Sequence, residues 1–103
     1  MIQTTVRLER PEGNVLLRSI PMQIEQASEL ARRELEDARP FDLFALYTTQ
    51  GVPAIPIRRR DLLVDELNAD PETGQPARYR VAGLVETFEN DHQELLAERV
   101  VGA

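Results

Sequence analysis

Arg78-Tyr79-Arg80-Val81-Ala82-Gly83-Leu84-Val85-Glu86-Thr87-Phe88-Glu89, then Asn90-Asp91-His92, then Gln93 to Val101, is the stretch that decides the fold. Side chains of an extended chain alternate with a period of two, so Tyr79, Val81, Val85 and Thr87 share one face. Gly83 falls on the same face and marks a bulge or a close backbone approach. The Asn-Asp-His triplet is a tight turn and the run after it is a final strand. The C-terminal part therefore reads as a long antiparallel hairpin.

Upstream, Asn68 to Pro76 (NADPETGQP) is a strong turn signal, with Asp-Pro, Thr-Gly and a second Pro. Leu62 to Asp65 before it is a short strand. Gln50 to Arg60 holds Gly51, Pro53 and Pro56, and proline donates nothing to a sheet ladder, so this is an extended loop or an edge. Phe41 to Thr49 (FDLFALYTT) is aromatic and β-prone, a strand buried on both faces over part of its length. At the other end, Ile2 to Arg10 alternates as a strand with Ile2, Thr4, Val6 and Leu8 on one face. Pro11-Glu12-Gly13-Asn14 is a turn, and Val15-Leu16-Leu17 is a short second strand broken before Pro21.

One segment follows a different period. In Ile24 to Ala38, Ala27, Leu30, Ala31, Leu35 and Ala38 form a helical apolar stripe, and Pro40 stops it. The expected fold is mainly β: a small antiparallel β-barrel or sandwich with one α-helix at about residues 24–38. Six strands favour closure, because closure leaves no open edges. No linker or repeat divides the chain, so residues 1–103 are expected to form a single domain.

Composition narrows the function. The chain is 42% hydrophobic and 29% charged, which is ordinary for a globular domain. It has no cysteine, which excludes disulfides and thiolate chemistry. No apolar run approaches the ~20 residues that cross a bilayer, and no signal peptide is expected at the N-terminus. The net charge of −6 argues against broad DNA binding, which depends on basic residues neutralising phosphates. Every basic residue is arginine, which fits either a preference for bidentate interface cations or arginine-rich codon usage.

The residue pattern holds no recognisable catalytic or metal-binding constellation. His92 is the sole histidine, and it has no histidine or cysteine partner for a metal or a catalytic dyad. The acidic run from Asp65 to Glu72 lacks the spacing of a calcium loop. The two serines, Ser19 and Ser28, lie in no nucleophile elbow, and there is no phosphate-binding glycine loop. No enzymatic activity and no cofactor are expected.

Two features suit contact with a partner. Arg58-Arg59-Arg60 follows a loop stiffened by Pro53 and Pro56, and suits an acidic surface or phosphates. Its arginines otherwise pair with the chain's own acids or stay in water. Phe88, near the end of the hairpin, either anchors a partner or plugs its own barrel. Glu29 and Glu36 of the expected helix offer a neighbouring copy an acidic face for the arginine run.

The run Arg60-Asp61-Leu62-Leu63-Val64-Asp65-Glu66, the turn, Arg78-Tyr79-Arg80-Val81-Ala82-Gly83-Leu84 and Glu94-Leu95-Leu96-Ala97-Glu98-Arg99-Val100 resemble a pattern of the head–tail connector (stopper, or head-completion) proteins of tailed bacteriophages. The N-terminal strand and the Glu/Arg-rich segment Glu25 to Ala38 are also similar to that family. The resemblance implies a small β-barrel with one helix. It implies a homo-oligomeric ring in the virion, assembled in the host cytoplasm. It implies portal or adaptor proteins and tail proteins as partners, double-stranded DNA passing through without specific binding, and no membrane. The loop Thr48 to Arg60 would correspond to the family's channel-facing loop, and the arginines at its end fit an interface better than a DNA channel. The alternatives are a small cytoplasmic OB-like or SH3-like binding module and, behind it, an enzyme subunit with a cleft around His92.

Overall fold

The computed structural model describes residues 2–26, 43–88 and 91–100. Six strands run in chain order: β1 (Ile2–Glu9), β2 (Val15–Gln26), β3 (Leu43–Thr48), β4 (Leu62–Ala69), β5 (Pro76–Phe88) and β6 (His92–Arg99). They close into an antiparallel barrel in the order β1-β2-β3-β6-β5-β4, with β4 pairing back to β1. Closure decides for the barrel over the sandwich.

Period-two alternation builds the interior. Val6 and Leu8 of β1, Met22 and Ile24 of β2, Leu46 of β3, Leu63 of β4, Tyr79 and Val81 of β5, and Leu95 and Ala97 of β6 form one buried cluster. Phe44 and Tyr79 meet edge to face inside it at 5.4 Å between ring centroids. That geometry suits the ring quadrupoles. The final hairpin pairs Thr87 with Gln93 and Val81 with Ala97, and its register shifts between Val81 and Val85, around Gly83.

The structure departs from expectation at three places. The second strand does not break at Pro21; β2 runs through it to Gln26. Pro21 lies opposite Thr5 of β1, and its carbonyl accepts from the amide of Thr49, one residue past the end of β3. The missing N–H therefore falls where the ladder to β3 has ended, the place where a strand tolerates proline. The helix is not borne out: Ile24, Glu25 and Gln26 are the end of β2, because Ile20, Met22 and Ile24 keep strand alternation into the core. Residues 27–38, with Glu29 and Glu36, lie outside the described residues, and no helix occurs among the described residues. In addition, β4 extends to Ala69, beyond the expected end at Asp65.

Polar clamps secure the two ends of the barrel. At one end the inward carboxylate of Asp65 accepts from the Thr4 hydroxyl and from the amides of Leu67 at 2.9 Å and Asn68 at 3.0 Å. At the other end Gln93 is 1% exposed, and its side-chain amide meets both backbone groups of Ile57, at 2.9 and 3.1 Å. The Gln93 amide nitrogen also reaches the Thr87 hydroxyl, and its backbone N–H reaches the Thr48 hydroxyl.

Candidate interaction surface

The loop from Thr49 to Asp61 carries the arginine run, and the barrel holds it down. Ile57 is buried in the core cluster and Ile55 packs against it. Burying an isoleucine side chain contributes about 2 kcal/mol. The bidentate grip of Gln93 satisfies the backbone there, as a buried peptide group requires. The loop is extended, as its prolines suggest, but its middle closes one barrel end instead of projecting freely.

After Ile57 the chain makes a tight turn over Arg58, Arg59 and Arg60. Asp61, only 2% exposed, organises it. One Asp61 carboxylate oxygen accepts from the Arg58 amide at 2.8 Å and the other from Nε of Arg10 at 3.3 Å. The Asp61 amide donates to the Arg58 carbonyl, and Arg60 and Asp61 bond Val81 of β5 on both its backbone groups. Arg60 takes a left-handed φ of 76°, an unusual conformation for a side-chain-bearing residue. Arg80 donates from Nη1 to the Arg60 carbonyl at 2.9 Å. The turn is thus fixed by backbone bonds, while the side chains of Arg58, Arg59 and Arg60 are exposed. Among the described residues, no carboxylate forms an ion pair with any of the three.

The same side of the barrel is basic further down. Arg7 of β1 and Arg78 of β5 flank Val64 of β4 in register. They edge an open groove of about 410 Å³ floored by Val64, Pro76 and Val100. Glu9 tempers this side by pairing with Arg7 at 2.6 Å.

In the six-strand order β3 lies opposite β4, and the outer face around β3 and β6 is acidic. Glu25 of β2, Tyr47 of β3, and Glu94 and Glu98 of β6 alternate outward there, with Glu86 beside Glu94 on β5. Burial first, then the neighbouring Glu25 carboxylate, raises the Tyr47 pKa above 10.0. Both effects favour the neutral phenol over the phenolate.

The head of the β5–β6 hairpin completes this face. Phe88 is 42% exposed and stacks on His92, with ring centroids 4.7 Å apart and planes 15° from parallel. Phe88 lies on the outer face, opposite in register to His92, so it does not plug the barrel. His92 is not a bare turn residue. Its Nδ1 meets Asp91 at 2.7 Å and its Nε2 meets Glu94 at 3.1 Å. The bonds to Glu94 and then Asp91 raise its pKa above 6.5.

Among the sequence-derived candidates, the structure groups the three arginines on one turn and puts Phe88 on the outer face of the hairpin, beside His92 and its carboxylates. Asp61, Gln93 and the Glu25–Tyr47–Glu94 face were not picked out from the sequence. Gln93 had a signal: strand alternation places it on the inward face with Leu95 and Ala97. Asp65 and Asp70, from the acidic run considered for calcium, each turn one carboxylate oxygen to backbone amides: Asp65 to Leu67 and Asn68, Asp70 to Glu72 at 2.9 Å. No protein-family model matches the chain, and no curated protein or solved structure matches it at a significant level.

Proposed function

We propose that the chain is a structural, non-catalytic subunit that assembles head to tail into a ring, and that the ring sits at the head–tail junction of a tailed bacteriophage. There it helps close the DNA-filled head and dock the tail. The observation that carries this reading is that the barrel surface presents two unlike charged patches. Exposed Arg58, Arg59 and Arg60 stand on the fixed turn before β4, and Glu25, Glu94 and Glu86 stand together on the outer face of β2, β6 and β5. A head-to-tail contact joins two different patches of one surface, and repeating it gives a closed ring or an open filament. Complementary charge on the two patches sets register and rejects like-to-like pairing.

The phage assignment rests on the sequence resemblance; the six-strand antiparallel barrel agrees with the β-barrel that resemblance implies, while the helix it also implies does not occur among the described residues. The net charge of −6 suits a lumen through which DNA slides without being held. The structure favours the arginines as an interface over the Thr48–Arg60 loop as a channel probe, because Ile57 and Gln93 hold the middle of the loop against the barrel. Deleting the gene from the source virus tests this. The expected result is heads that lose their packaged DNA beside unattached tails, with infectivity restored by the intact chain. Normal, tailed, infectious particles from the deletion would refute it.

A further inference from the structure

The exposed stack of Phe88 on His92 is bordered by Asp91 and Glu94, with Glu86 across the ladder from Glu94. An apolar ring within a carboxylate border is a receptor for a guanidinium group. The flat cation stacks on the aromatic face while its N–H groups reach the carboxylates. Lysine, a compact and strongly hydrated point charge, suits such a site less well. The same chain carries the matching cations on a second, distinct patch, a turn fixed by Asp61 and Val81. Cations on a fixed turn lose less conformational freedom on docking than cations on a mobile loop.

We infer that the Phe88–His92 face of one copy receives the Arg58–Arg60 turn of a second copy. This deepens the ring reading and rests on it for the identity of the partner, while the arginine-accepting face is a property of the single chain. Arg59, at the middle of the turn, is the residue placed over the Phe88 ring. Glu94 and Asp91 are its carboxylate acceptors, and Arg58 and Arg60 approach the surrounding acids.

The test is a titration of the isotope-labelled full chain with a synthetic peptide covering residues 54–63, followed by amide and ring chemical shifts. The expected shifts centre on Phe88, Asp91, His92 and Glu94. Binding should weaken about tenfold or more in Phe88→Ala and in Glu94→Gln, and by a similar factor when the three peptide arginines are alanine. Both variants change outer-face side chains, and an unchanged core spectrum in either one keeps the comparison valid. No shifts up to millimolar peptide, or shifts that ignore both substitutions, would overturn the inference. The two proposals fail separately. Binding at Phe88 by a chain whose deletion leaves the virus intact refutes the connector reading alone. A connector phenotype without peptide binding refutes this contact alone.

Discussion

The arginines at 58–60 stand on backbone fixed by a buried aspartate and by a neighbouring strand, whereas the carboxylates at 86, 91 and 94 stand on the hairpin's outer face around an aromatic stack. On the first side the backbone is satisfied and the three cations are left without acid partners among the described residues. On the second side Asp91 and Glu94 already bond within the chain, through His92. A fixed turn holds cations outward, and an aromatic stack bordered by carboxylates stands on the hairpin. The two sides should therefore respond differently to substitution.

The largest effect falls on the anchor of the arginine side. Ile57→Ala leaves a cavity in the barrel end and should cost about 2–4 kcal/mol in chemical denaturation. It should also loosen the turn, seen as faster hydrogen exchange at Arg60. A loss under about 0.5 kcal/mol would mean that the loop is not held by the core.

Asp61→Ala comes next. It removes the acceptor for the Arg58 amide and for Arg10, at an expected cost of about 1.5–3 kcal/mol. Arg59→Ala should separate folding from assembly: stability stays within about 0.5 kcal/mol, while self-association weakens. Equal loss of both would show that Arg59 has a partner within its own chain.

The smallest effect is expected at His92. Its folded pKa is raised above the ordinary 6.5, so the stabilisation is fully present below that value and is lost as pH rises through the folded pKa. Wild-type protein should thus lose a little stability relative to His92→Gln on going from about pH 6 to about pH 8. The carboxylates of Asp91 and Glu94, with Glu86, Tyr47 and Glu25 around Glu94, face this histidine, and none of these side chains is cationic. The opposite slope, or no slope, would mean that the histidine is not held by the two carboxylates. Over the same range, loss of the imidazolium should strengthen arginine docking.

Much of the fold was legible because alternation is a local signal. The final hairpin, the first strand and the turns at Pro11 and Asp70 follow from residues near each other in sequence. Pro21 misled because its effect depends on where β3 ends, which is a fact of pairing and not of the strand itself. The helical stripe suggested a start at Ile24, but that residue pairs with Ile2 and Leu46 from two other strands. The site was legible in its cations and its phenylalanine. Its acidic half was not, because Glu25, Tyr47, Glu86 and Glu94 come from four strands and meet only once the barrel closes. Asp61 was hidden for the opposite reason: beside three arginines it reads as surface charge, while its burial comes from β1 and β5.

The central claim, a ring subunit at the head–tail junction, is tested most directly by a quantitative protein census of purified virus particles from the source. The account predicts this chain at one ring's worth of copies in each tailed particle, and its absence from portal-free heads. Its absence from tailed particles would contradict the account and turn the arginine turn and the Phe88 face towards a soluble partner.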